Sequence, residues 1–135
     1  MNYSRRKGKK NRTGARGERI AARWLRLRGY RIRGRNVAMR RGELDIVASR
    51  GKYLVFCEVK TRADGENIGI YGSPSVAVNR EKREHLIAAA REYLALYPTK
   101  KLPRIDVIEV YLDPQTGRKK RVVQLKNAVK DDVGR

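Results

Sequence analysis

Sulfur, histidine and acid are all scarce in this 135-residue chain. It has one cysteine, Cys57, and one histidine, His85. A lone cysteine excludes a disulfide framework and fits a reducing cytosol, so the expected location is cytoplasmic. No Cys/His cluster exists for zinc. His85 alone makes no catalytic triad and reads as a surface or interface residue. One Phe, one Trp and scattered Tyr argue against base stacking of the RRM or OB kind as a main binding mode. No apolar run approaches the ~20 residues of a membrane span. The basic N-terminus lacks the apolar segment of a secretory signal. Internal repeats are absent.

Positive charge is what the chain has in excess. There are 34 Lys+Arg against 14 Asp+Glu, a net charge of +20. Residues 1–41 hold 16 of these bases and one acid, Glu18, a net of +15, which leaves about +5 for the rest. Such asymmetry points to a polyanion partner, most simply nucleic acid. An anionic membrane surface is the competing partner. No basic helix here has an apolar opposite face without core duties, so no membrane role is expected.

The length suits one domain with a real core. Residues 1–12 read as a flexible basic arm, 13–126 as the folded body and 127–135 as a tail. Thr13 can cap a helix from Gly14 to Arg28, stopped by Gly29. Its apolar arc is Ile20, Ala21, Trp24, Leu25 and Leu27, with Arg16, Arg19, Arg23 and Arg26 opposite. Glu18 falls at the edge of the apolar arc and leans towards whatever the helix packs on. Tyr30–Val37 is a strand weakened by Gly34, and Met39–Arg41, with Arg40 and Arg41, is a basic turn. A long connection, 62–78, is of a length often found at functional sites. Asn79 can cap a second helix, Arg80–Tyr97, whose core stripe is Leu86, Ala90, Tyr93, Leu94 and Tyr97. Lys82, Arg83 and Arg91 are then available for phosphate. Arg104–Leu112 and an edge strand, Arg121–Leu125, follow, with Asp106 expected to pair with a nearby arginine. Helix, three strands, helix and two strands make a mixed α/β domain.

The centre of the chain is Gly42–Thr61, GELDIVASRGKYLVFCEVKT. Two alternating runs, Glu43–Ser49 and Tyr53–Thr61, read as one hairpin. Gly51 suits the first central position of a type II′ turn. A two-residue loop pairs Arg50 with Tyr53 and sets Asp45 opposite Glu58. Glu43, Asp45, Glu58 and Lys60 then share one face. A three-residue loop would pair Asp45 with Cys57 and put it on the other face from Glu58 unless a bulge intervened. Opposed carboxylates repel, and buried ones are costly without compensation. A divalent cation would compensate them, and ordinary exposed charges on a wet face are the alternative.

At this point the residues resemble the YraN-like proteins, an uncharacterised bacterial family. The matching blocks are Gly14-Ala15-Arg16-Gly17-Glu18 with Ala21-Ala22 and Leu25, Gly29-Tyr30, Asn36, GELDIVA at 42–48, VFCEVKTR at 55–62, Tyr71-Gly72, Lys82 and RIDVIEV at 104–110. They cover roughly residues 14–126, and Cys57 stands where the family more often has valine. The resemblance implies a restriction-endonuclease-like α/β fold, a single domain with a mixed five-stranded sheet and two main helices, related to archaeal Holliday-junction resolvases. The signature it implies, an acid on the first helix, then Asp, then Glu-x-Lys, falls on Glu18, Asp45, Glu58 and Lys60.

The expectation is a metal-dependent nuclease acting on DNA, with branched or structured forms among the candidate substrates. Asp45, Glu58, the carbonyl of Val59 and Glu18 would hold Mg²⁺ or Mn²⁺, the hard cations that all-oxygen sites suit. Lys60 would orient water or stabilise phosphate charge. Arg16, Arg19, Arg23, Arg40, Arg41, Arg62 and Lys82 would bind backbone phosphates. A homodimer is compatible with the resolvase likeness. The rival readings are a non-catalytic protein that keeps the fold and binds nucleic acid, and an accessory RNA-binding module of the translation machinery.

Overall fold

The computed structural model describes residues 12–65 and 79–129. The expected arm, apart from Arg12, lies outside these residues. So do most of the connection (66–78) and the tail beyond Val129. The elements are α1 (Arg12–Leu27), β1 (Arg31–Met39), β2 (Gly42–Arg50), β3 (Tyr53–Ala63), α2 (Arg80–Leu96), β4 (Leu102–Leu112) and β5 (Lys119–Leu125). This is the expected α/β order, with strand ends longer by one to two residues in most cases. None of the described helices is long and apolar enough to cross a membrane.

The strands form one sheet in the order β1-β2-β3-β4-β5. β3 and β4 run parallel, and every other neighbour pair is antiparallel. Parallel neighbours need a crossover, and α2 lies in it. The sheet is hydrophobic on both faces, so each face takes a helix. Leu54 and Phe56 of β3 join Leu86, Ile87, Ala89 and Ala90 of α2 in one core. Val55 and Cys57, which point the other way, join Ala21, Ala22 and Leu25 of α1 in a second. The outer strands are strongly basic: Arg31, Arg33 and Arg35 on β1, and Lys119, Lys120 and Arg121 on β5, are all exposed.

The β2–β3 hairpin has the two-residue loop. Arg50 pairs with Tyr53, and the ladder runs back to Ile46↔Cys57. Gly51 has φ +55, a value that an L side chain resists. The ladder stops one step short of the expected Asp45–Glu58 pair. Alternation in β2 breaks at the same place: Leu44 belongs to the α2-side core and Ile46 to the α1-side core.

Local signals explain the helix ends, with some corrections. α1 stops at Gly29, φ +87, where Gly29 N–H donates to the Arg26 carbonyl and Tyr30 N–H to Leu25. These two bonds make a Schellman motif, and Leu25 and Tyr30 pack together in the core beside it. α1 is already helical at Arg12, so Thr13 lies inside the helix and is not its cap. Leu27, expected in the core, is 73% exposed, and Ala22 is buried instead. The helix rotates so that small side chains meet the sheet. In α2, Asn79 Oδ1 accepts from Lys82 N–H at 2.8 Å, as expected for a cap. Tyr97 is exposed, and Ile87 and Ala89 take its place in the core.

Candidate functional site

The site forms where β2 and β3 part. Because the ladder ends at Ile46↔Cys57, the amide of Val59 has no β2 carbonyl to bond. Asp45 supplies the acceptor: Val59 N–H donates to Asp45 Oδ2 at 2.9 Å. That bond turns the Asp45 carboxylate across the gap towards Glu58. Both acids are almost fully buried, Asp45 1% and Glu58 3% exposed. Glu58 Oε1 is shielded from solvent and receives no hydrogen-bond donor.

Two ammonium groups converge on the other Glu58 oxygen. Lys82 Nζ lies 3.3 Å from Oε2 and Lys60 Nζ 3.8 Å. Lys60 follows Glu58 on the same strand face, whereas Lys82 comes from the first turn of α2. α2 is held over the start of β2 at two further points. His85 packs against the Gly42 backbone, where a Cβ on Gly42 would lie 3.7 Å from His85 Cβ. Arg40 N–H donates to Glu92 Oε1. Lys82, His85 and Glu92 share one helix edge, and that edge carries the lysine to the carboxylates.

Burial pushes the Glu58 carboxyl up, and the negative charge of Asp45 pushes it further, to about 7. Lys82 and Lys60 pull the other way without overcoming these effects. Two desolvated acids this close share their ionisation, as a carboxylate pair does.

The other expected site residues fall in several places. Glu18 is inward and buried, at the head of the α1 stripe. Its neighbour Gly17 sits so tightly on Thr61 that a Cβ there would overlap Thr61 Oγ1. Thr61, Val59 and Cys57 point to the α1 layer, while Glu58, Lys60 and Lys82 meet on the α2 side. Glu18 therefore approaches the strand ends from the other layer. Among the described residues no group of three or more His, Cys, Asp or Glu side chains comes together closely enough to hold a metal ion. The two-carboxylate pair is what the structure assembles. Glu43 is half-buried at the mouth of β2, and His85 is exposed.

The expected phosphate ligands divide between the layers. Arg16, Arg19 and Arg23 are exposed on α1. Arg40 and Arg41 are exposed in the β1–β2 turn beside α2. Lys82 faces Glu58. Arg62 is held by a residue that sequence reasoning passed over: its Nε donates to Glu109 Oε2 at 2.6 Å. Glu109 is fully buried and also accepts from Tyr111 Oη at 2.9 Å. A charge inside the apolar run of β4 was the available signal, the same signal that singles out Glu58.

Asp106 is paired as expected. Arg104 Nε and one terminal nitrogen donate to its two oxygens, each at 2.9 Å. Gln124 and the Asn127 amide also donate to it. Tyr30 Oη accepts from Arg104 and Gln124. This network is closed and structural.

Sequence comparison agrees with the motifs. The model of the "Uncharacterised protein family UPF0102" matches residues 17–110. A UPF0102 protein of Caldanaerobacter subterraneus subsp. tengcongensis is 38% identical over 120 residues, covering 88% of this chain and 95% of its own length. One of Symbiobacterium thermophilum is 42% identical over 114 residues, with 84% and 93% covered. One of Chlorobaculum tepidum is 40% identical over 119 residues, with 85% and 89% covered. With a family match spanning both the carboxylate hairpin and β4, and relatives aligned over nearly their whole length, the chain belongs to the uncharacterised UPF0102 family, the YraN-like proteins.

Proposed function

We propose that this protein is a metal-dependent nuclease acting on DNA of branched or otherwise structured form. The observation that carries the reading is the buried Asp45–Glu58 pair at the parting of β2 and β3, with Lys60 and Lys82 beside it. Two acids buried together oppose folding unless something uses their charge. Glu58 Oε1 is buried without a donor, and the raised carboxyl is hydrogen-bonded to Asp45; a hard cation between the two would take the place of that proton.

Asp45, Glu58 and the Val59 carbonyl would hold Mg²⁺ or Mn²⁺, an all-oxygen donor set of the kind these ions take. Glu18 is buried in the α1 layer. A bound divalent cation supplies Lewis acidity towards a phosphodiester and lowers the pKa of a bound water. The chain's own groups do the rest. Val59 N–H fixes the Asp45 carboxylate. Lys60, half exposed on the Glu58 face, reaches towards developing phosphate charge. Lys82 neutralises Glu58 from α2. The exposed arginines of α1 and of the β1–β2 turn bind backbone phosphates and set register without reading sequence.

A specific observation supports a second reading, a non-catalytic nucleic-acid-binding protein on the same fold. Two lysines formally balance the two carboxylates, so the cluster is closed in charge without any ion. One experiment separates the two. A panel of branched, flapped and duplex DNAs is incubated with purified protein and Mg²⁺ or Mn²⁺, beside Asp45→Ala. Cutting by the wild type that disappears in Asp45→Ala supports the nuclease. Tight binding with no cutting under either ion sinks it. Preference for structured RNA in competition points to the RNA-binding alternative.

A further inference from the structure

Arg62 is one of the expected phosphate ligands, and the two residues clustered with it, Glu109 and Tyr111, are used by nothing proposed so far. Glu109 is completely buried, yet it carries a charge in the middle of β4. A buried ion pair is often no more stable than apolar side chains of the same size. Glu109 spends both oxygens on holding two groups, Arg62 Nε and Tyr111 Oη. The guanidinium is therefore anchored from below through Nε, with about a third of the Arg62 side chain exposed.

Register sets this guanidinium beside the candidate site. In the parallel β3–β4 ladder, Glu58 faces Val107, Lys60 faces Glu109 and Arg62 faces Tyr111. Glu58, Lys60 and Arg62 thus form one row on the α2 face. Members of such a row stand about 6.6 Å apart, close to the repeat between neighbouring phosphates of a nucleic-acid strand. Tyr111 pairs with Arg121 on β5, whose guanidinium carbon lies 4.1 Å over the Tyr111 ring. The row is cationic beyond Glu58 and is firmly braced.

We propose that Arg62, braced by Glu109 and Tyr111, binds the phosphate next to the one that lies at the Asp45–Glu58 pair. Arg62 is the phosphate ligand, and Glu109 and Tyr111 are positioning residues. The inference rests on the reading that DNA runs along this face, and it adds the direction: the strand continues from Glu58 towards the C-terminal end of β3. An arginine suits the place because its planar fork stays matched to phosphate while Nε is engaged below.

The test uses the full chain and a flapped DNA duplex whose branch fixes the register. Single uncharged methylphosphonates are placed at successive backbone positions, and binding is followed by fluorescence anisotropy without divalent metal. In the wild type one position next to the branch is sensitive. Arg62→Ala makes that position silent and lowers the slope of log affinity against log salt by about 1. Arg62→Lys restores the slope but not the full affinity. Tyr111→Phe keeps the slope and weakens binding by roughly three-fold, the loss of one bracing hydrogen bond. Because Arg62→Ala strands the buried Glu109, the double variant Arg62→Ala/Glu109→Gln is measured beside it, and an unchanged slope and an unchanged position profile in both overturn the inference.

Cutting of the same flap in Mg²⁺ is scored in parallel. If the protein cuts and Arg62→Ala alters nothing, this subsite fails and the nuclease stands. If the Arg62-dependent phosphate is present but nothing is cut, the nuclease fails and the subsite stands. Absence of DNA binding refutes both.

Discussion

Asp45 accepts the amide hydrogen of Val59 across the point where β2 leaves β3. One side chain therefore both closes the end of the ladder and faces Glu58. The two roles separate by substitution. Asp45→Asn keeps an acceptor for the amide but loses the charge. It should melt close to the wild type while Mn²⁺ affinity, measured by calorimetry, falls about ten-fold or more. Asp45→Ala also strands the amide and should cost a further ~1–3 kcal/mol in denaturant titration.

The raised Glu58 carboxyl fixes a pH dependence. Its ordinary value is 4.5 and its folded value about 7. Between these the folded protein holds more protons than the unfolded chain, so stability falls as pH rises through this window. Below it the penalty is absent, and above it the penalty is complete. Glu58→Gln should therefore match the wild type at low pH and exceed it at pH 8, by on the order of 1–3 kcal/mol without divalent ions. Equal stability curves across the window would contradict the burial of an ionising Glu58.

The approach of α1 to β3 leaves no room at Gly17. A methyl group there would overlap Thr61 Oγ1. Gly17→Ala should cost about 1–3 kcal/mol through overpacking. Thr61→Ala in the same chain should return part of that loss, and a double-mutant cycle measures the coupling.

Asp106 holds Arg104, Gln124 and the Asn127 amide together. Asp106→Ala should lower stability by about 3–5 kcal/mol, because it leaves a partly buried guanidinium without its counter-charge. The urea midpoint should fall with the slope unchanged.

What the sequence made legible follows from how local each signal is. Gly51 between two alternating runs pointed to the two-residue loop that pairs Arg50 with Tyr53, one of the two loop lengths the sequence allows, and so brought Asp45 to the neighbourhood of Glu58. Asn79 as a cap, and Asp106 beside Arg104, needed only neighbours within three residues. The break at Asp45 was not legible, because it depends on β2 passing from one helix layer to the other. The pairing of Lys82 with Glu58 was equally hidden. It depends on a helix docked through His85 and Glu92 against Gly42 and Arg40, far along the chain. Glu18 was correctly read as inward, but the sheet face it approaches is fixed only by the packing of Gly17 on Thr61. Leu27 and Tyr97 failed as core residues because small rotations of each helix exchange one apolar neighbour for another at little cost in buried area.

The two rims of the sheet bear the exposed bases Arg31, Arg33 and Arg35 on one side and Lys119, Lys120 and Arg121 on the other. Open strand borders invite another copy to add on, and like charge along them resists this. The protein should consequently stay unaggregated in dilute buffer, and become most prone to strand-on-strand growth when a polyanion or concentrated salt masks those borders.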